Sequence, residues 1–473
     1  MSNVITGRDL LAIGYKQGSV LGLTLNAEPL LQPATKGERL ALLKKLLDYP
    51  ESFLDDPVLQ PVAKAMIEEA SIPPDDTIRL KPVKDDYSVY GAAFIEEGAR
   101  AQMDIAMRLP ATVAGALMPD AHQGYGLPIG GVLATENTVI PYGVGVDIGC
   151  RMALSVFDIP ENYFNSNQAT FKRELVAHTK FGAGNGFKGN EQTEHEVLDR
   201  KEFNMNSFVK SLQDKAATQL GSSGGGNHFV EWGIIEFSQK DGALGIAAGK
   251  YLALLSHSGS RGLGATIAGY YTRLAKEICK LPKEAVNLAY LDLDTEAGQE
   301  YWMAMNLAGD YASASHEVIH NKLTNAIGGT VLAKVENHHN FAWKEELNAQ
   351  EVIVHRKGAT PAGKGIMGII PGSMTAPGFL VRGRGIEASI NSASHGAGRR
   401  LSRTKAIQSI TRKEMNAILK EKNVSLIGAG LDEAPMAYKE INMVMQAQDE
   451  LVDIVARFKP RIVRMADDGS RED

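Results

Sequence analysis

Asp147 and Cys150 stand three residues apart in the block GVGVDIGC, a short spacer downstream of MPDAHQGYGLPIGG. A carboxylate offers a metal a hard oxygen, and a thiolate offers a soft sulfur that can bridge two ions. The glycines around them let the backbone turn tightly enough to bring both side chains to one point. Taken alone, the block also reads as a buried cysteine beside a turn aspartate. Four later segments shift that balance by setting histidines in glycine-rich or strand-like sequence: GSSGGGNHFVEWG at 221–233, SHSGSRGLG at 256–264, VENHHNFAW at 335–343 and SHGAGRR at 394–400. Histidines on turns after apolar strands can converge at one rim. A pocket of neutral imidazoles with one thiolate and one carboxylate suits Mn, Zn or Fe. A lone histidine of this kind is more often structural. Together, Asp147, Cys150, His228, His257 and either His338 or His339 suffice for two adjacent ions with Cys150 as the bridge.

The glycines suggest a second role. GSSGGGNH and PGSM (371–374) expose backbone N–H groups without Cβ obstruction, which lets a phosphate or nucleotide approach closely. Arg261, Arg399, Arg400 and Lys364 read either as local positive charge for such a ligand or as solvated surface cations. His395 sits among small residues beside an arginine pair, which suits a nucleophile that forms a phosphoramidate with a nucleotide; a further metal ligand is the rival role. The run HEVIH, His316 to His320, matches the helix-borne zinc motif in which Glu317 would be the base. No third ligand follows at the expected spacing. The surrounding helix has ordinary amphipathic packing, so these histidines read as core or surface residues.

These residues need a scaffold, and composition narrows what it can be. The 473 residues carry 50 Lys and Arg against 56 Asp and Glu, a net charge of -6, which excludes bulk attraction to nucleic acid or anionic membrane. Any polyanion site must be a local patch. No apolar run reaches about 18 residues, and the start lacks a basic stretch followed by an apolar one, so a cytoplasmic protein with no membrane partner is expected. Cys150 and Cys279 are expected reduced. Residues 1 to about 70 read as helical, and 71–86, rich in proline and charge, read as a boundary. The predicted domains are a helical N-terminal appendage with its linker, 1–85, and a catalytic domain, 86–473, with a frayed tail at 466–473. Beyond residue 87, strand-like runs and helices alternate without a regular βαβ rhythm, which predicts an α+β (mixed α/β) fold.

The ordered series HQGYGLPIGG, GVGVDIGC, GNHFVE, HSGSRGLG, HHN, PGSM and HGAGR resembles the RtcB family of RNA-splicing ligases, from about residue 87 to 465. The resemblance implies an RtcB-like catalytic fold with mixed sheets and peripheral helices, two Mn2+ ions and GTP. It implies that Asp147, Cys150 and His228 hold one ion and that Cys150, His257 and His339 hold the other. His339 is preferred over His338 because it directly precedes Asn340 of the family's HN pair. The nucleotide contacts it implies are Asn227, His228, Phe229, Val230, Glu231, His339, Asn340, Pro371, Gly372, Ser373, Met374, His395, Gly396, Ala397 and Gly398. His395 matches the guanylylated residue, and Tyr438 in EAPMAYKEI falls where the family stacks a tyrosine on guanine.

The implied reaction joins RNA 3'-phosphate or 2',3'-cyclic phosphate ends to 5'-hydroxyl ends, in tRNA splicing or RNA repair, and a small activator protein often assists the family. An enzyme that caps or processes ends with poor joining, and a non-catalytic RNA-binding homologue, are the alternatives. Two departures touch base recognition. Arg464 and Met465 stand near the place of a C-terminal lysine that contacts guanine, and Gly378 takes the place of a base-contacting serine. Outside the core, TGRDLLAIGYKQGSVLG is weakly similar to a helical segment of tRNA nucleotidyltransferases, which implies either an RNA-binding appendage or a stabilising domain.

Overall fold

A computed structural model describes residues 5–16, 18–32, 35–71 and 77–467. Residues 468–473 of the expected frayed tail, and 72–76 of the expected boundary stretch, lie outside them. The chain divides into two compact units, Met1–Asp76 and Thr77–Asp473. In the first, the helices Gly7–Ala12, Ser19–Ala27, Lys36–Asp48 and Gln60–Ser71 bury a core of their own that includes Leu10, Leu43, Leu46, Leu59 and Val62. The helix Lys36–Asp48 begins at Thr35 because Thr35 and Glu38 cap each other, the Thr35 N–H donating to the Glu38 carboxylate at 2.8 Å.

The larger unit mixes helices and sheets in an α+β arrangement. Its main sheet runs in the order Met367–Ile370, Gly378–Gly383, Val452–Met465, Phe229–Phe237, Gly249–Ser258, Arg151–Phe157, Val331–His338, with Ser425–Ile427 alongside Val452–Met465. All neighbours are antiparallel except that last pair. A second sheet orders Ser88–Val89, Thr112–His122, Ile129–Thr135, Gln350–Lys357 and Phe341–Leu347. Two long helices, Arg261–Ile278 and Glu296–Ile327, supply much of the largest core. Among the described residues, no helix is long and apolar enough to cross a membrane.

The alternation of side chains along the main-sheet strands sorts the chemistry by face. Val230, Trp232 and Ile234 point into one core together with Leu252 and Leu254. Ile235, Phe237, Ala253 and Leu255 point into the other. In register, Phe229 lies opposite His257 and Met465, while Glu231 lies opposite Leu255 and Val463. One face of the sheet therefore presents these two rows of residues to a cleft, and the opposite face is filled with packing.

Candidate metal centre and nucleotide cleft

Four potential ligands arrive at one end of four adjacent strands. Cys150 directly precedes the strand Arg151–Phe157, His228 precedes Phe229–Phe237, His339 follows Val331–His338, and His257 lies one residue from the end of Gly249–Ser258. Because Arg151 pairs with both Ser258 and His338, antiparallel register brings these sequence-distant positions together, and the His339 N–H donates to the Cys150 carbonyl at 2.9 Å. Cys150 Sγ lies 3.4 Å from His228 Nε2 and 3.2 Å from His257 Nε2, and the latter lies 3.2 Å from His339 Nε2. Asp147 Oδ2 is 3.0 Å from His228 Nε2. Two buried triplets result, Asp147–Cys150–His228 and Cys150–His257–His339, in each of which one donor atom per residue lies within 4.8 Å of the others.

Donors bonded to one ion at about 2.0–2.3 Å stand roughly 3 to 4 Å apart, so the donor set fits two metal ions that share the sulfur. Burial holds the His257 and His339 imidazoles well below their usual pKa and hence neutral, the form that binds metal. Burial, reinforced by the Asp147 charge, pushes the Cys150 thiol up, so a cation is what would stabilise its thiolate. His338 does not join them. Its ring packs 5.0 Å from both Phe341 and Trp343, and burial takes its pKa down to about 3.

The Asp147 carboxylate is placed by the turn after the His257 strand. Ser260 N–H donates to its Oδ1 at 3.2 Å, and Gly259 passes so close that a Cβ there would stand 1.9 Å from that oxygen. On the opposite face of the same strand, Ser256 meets the two histidines of HEVIH. His316 Nε2 lies 3.0 Å from the Ser258 carbonyl, which can only accept, so Nε2 carries the hydrogen and Nδ1 accepts from the Ser256 hydroxyl at 2.6 Å. That hydroxyl accepts from His320 Nε2 at 2.8 Å, and His320 Nδ1 accepts from Ser155 at 2.8 Å. Every partner is spoken for and burial lowers both imidazole pKa values, so HEVIH is a neutral structural chain rather than a metal site.

Beside the triplets opens a cleft. Of the expected nucleotide contacts, Asn227, Phe229, Glu231, Pro371, Gly372, Ser373, Met374, His395, Gly396 and Tyr438 line it. His228 and His339 sit in the triplets. The Val230 side chain faces the packed core behind the sheet, and Ala397 is buried in a neighbouring core. Asn340 turns its Oδ1 to the Gly358 N–H at 2.7 Å, and Gly398 packs against Asp120. At the far end Glu231 is 4 % exposed with no hydrogen-bond partner among the described residues, and burial raises its carboxyl well above the usual range. Gly378 and Met465 also line the cleft. Arg464 instead donates to the carbonyls of Leu175, Val176 and Thr179 at 3.0, 2.6 and 3.0 Å, at the end of the helix Gln168–His178 and away from the cleft.

At the other end the His395 ring centroid lies 4.9 Å from that of His339, and His395 Nδ1 is 2.8 Å from Asp120 Oδ2. Burial pushes the Asp120 carboxyl up. The His395 contact, joined by Lys439 and His122, outweighs that push and leaves it below its ordinary value. An ionised Asp120 accepts from Nδ1–H, which leaves Nε2 as the ring nitrogen that can carry the lone pair. Asp120 was not singled out in the sequence, although it lies in MPDAHQG. Glu433 was missed as well: it lines the cleft and takes the Tyr438 hydroxyl and the Arg403 guanidinium. Arg399 stacks 5.3 Å from the Tyr438 ring and donates to the Asp432 carbonyl at 2.6 Å, so it steadies the tyrosine. Arg261 is buried against Ser222 and Gly182, Arg400 is exposed and bonds the Met436 carbonyl, and Lys364 lies on an exposed turn outside the cleft.

The chain is similar to known proteins over most of its length. The family model described as tRNA-splicing ligase RtcB matches residues 102–466. The chain is 33% identical over 390 residues to the RNA-splicing ligase RtcB of Escherichia coli, covering 76% of this chain and 92% of that protein. It is 31% identical over 412 residues to the tRNA-splicing ligase RtcB of Nanoarchaeum equitans, covering 73% and 86%. The tRNA-splicing ligase RtcB of Thermococcus kodakarensis is 29% identical over 414 residues, covering 73% and 86%.

Proposed function

The chain belongs to the RtcB family of tRNA-splicing ligases and is an RNA ligase, and from that premise we propose that it joins an RNA 3'-phosphate end to a 5'-hydroxyl end with GTP and two Mn2+ ions. The observation that carries this reading is the pairing of His395 with Asp120 beside the two buried triplets. Asp147, Cys150 and His228 would hold one ion and Cys150, His257 and His339 the other. Bound there, Mn2+ supplies positive charge that offsets the charge developing on phosphate oxygens.

The residues divide the remaining work. Asp120 fixes the His395 ring with Nδ1–H toward the carboxylate, so that Nε2 attacks the α-phosphate of GTP; an N–P bond forms and pyrophosphate leaves. Gly372, Ser373 and Gly396 at the cleft wall leave room for phosphates near the backbone. Phe229 and Tyr438 flank the base, and Glu231, a lining carboxyl without a partner among the described residues, faces its N–H edge. GMP then passes from His395 to an RNA 3'-phosphate. The 5'-hydroxyl attacks that activated phosphorus, the phosphodiester forms and GMP leaves. A 2',3'-cyclic phosphate is first hydrolysed to the 3'-phosphate.

The test is product analysis with Mn2+, GTP, a 3'-phosphate RNA and a 5'-hydroxyl RNA. The proposal expects a joined strand that disappears on chelation. Accumulation of capped 3' ends without joining would favour the end-processing alternative, and the absence of both products would overturn the mechanism.

A further inference from the structure

We propose that Tyr125 and Tyr142 form a stacking platform for a base of the single-stranded RNA substrate close to the joining site, an assignment that rests on the chain being an RNA ligase. Tyr125 is 68% exposed, so burial in the fold does not account for its ring. Yet its loop is held firmly. Gln102 donates through Nε2 to the Gly124 carbonyl at 2.6 Å and accepts the Gly124 N–H at 3.0 Å, and the Gln123 N–H donates to Glu96 at 2.8 Å. Lys357 Nζ donates to the Tyr125 carbonyl at 2.6 Å and to the Tyr142 carbonyl at 3.1 Å, tying the two tyrosines together. Their rings stack at 6.2 Å between centroids and 28° between planes. An exposed ring on a fixed backbone loses little freedom when a base stacks on it.

Charge and position favour a nucleic acid. The ammonium group of Lys276 stands 5.6 Å from the Tyr142 ring and has no carboxylate partner among the described residues, while Lys357, 4.9 Å from the same ring, is buried, with its pKa lowered to about 7, and serves to hold the two tyrosine carbonyls. In a chain of net charge -6, the half-buried Lys276 is local positive charge without a protein counter-ion beside an open aromatic face, the combination that holds single strands through base stacking and phosphate attraction. The platform adjoins the reacting centre. The residue after Lys357 is Gly358, whose backbone packs so closely on His395 that a Cβ would stand 3.2 Å from Cε1, and whose N–H is held by Asn340 next to His339.

The test measures binding of a fluorescein-labelled, 3'-phosphate single-stranded RNA by anisotropy to the full chain and to Tyr125→Ala, Tyr125→Leu and Tyr125→Phe. Loss of the ring face in the alanine and leucine variants is expected to weaken binding roughly five- to a hundredfold, while the phenylalanine variant binds within about twofold of the parent. Alanine and leucine variants that bind as the parent does overturn the platform, and so does a phenylalanine variant as weak as alanine. Labelling of the parent with α-labelled GTP, which needs no RNA, separates the two proposals. RNA binding that depends on the Tyr125 ring in a protein that takes up no label leaves the platform standing and removes the GTP mechanism.

Discussion

Cys150 is the residue on which the two triplets depend, because its single sulfur belongs to both and touches His228 and His257. Cys150→Ser replaces that sulfur by a harder, less polarisable oxygen and is expected to reduce bound metal from two ions per chain to one or none, read by elemental analysis after gel filtration. Asp120 acts through His395. Asp120→Asn removes the charge that holds the ring, and the expected result is label uptake from GTP slower by about a hundredfold or more with metal content unchanged. The ligand candidates were legible in the sequence because glycine-rich turns advertise them and the family pattern orders them. Asp120 was not, because its partner His395 is 275 residues away and nothing in MPDAHQG marks the pairing. The preference for His339 over His338 came from the HN pair of the family pattern, and the fold gives its physical basis: strand register sets His338 in an aromatic pocket and His339 beside the sulfur.

At the scale of elements, antiparallel register does the gathering, and the turn after Gly249–Ser258 sets the final ångströms. Gly259→Ala would drive a methyl group into the Asp147 carboxylate, so the expected outcome is a folded protein with weakened metal retention, read by dialysis against chelator and circular dichroism. Behind the same strand, Ser256→Ala leaves His316 and His320 each short of a partner. It is expected to lower unfolding free energy by about 1–3 kcal/mol in urea titration. The strands Arg151–Phe157 and Gly249–Ser258 and the helix through residues 295–327 could be read from apolar periodicity. The order of the main sheet could not, because it joins Val452–Met465 to Phe229–Phe237 across more than two hundred residues, and pairing at that range leaves no local mark.

At the scale of the molecule, a chain with more acidic than basic residues handles polyanionic substrates, and the structure shows how the charge is arranged locally. Arg399 and Arg403 are tied to Asp432 and Glu433 around Tyr438, and Arg464 is turned to a helix end, while Glu231, Gly378 and Met465 line the cleft. Composition pointed to a local patch without saying where it lies. We propose that this architecture lets His395 accept a nucleotide. The most direct measurement incubates the protein with Mn2+ and each of the four α-labelled nucleoside triphosphates and maps the label by mass spectrometry. GMP bound to His395 in the parent, and no label in His395→Ala, is the predicted result; a His395→Ala variant that still takes up label would contradict it.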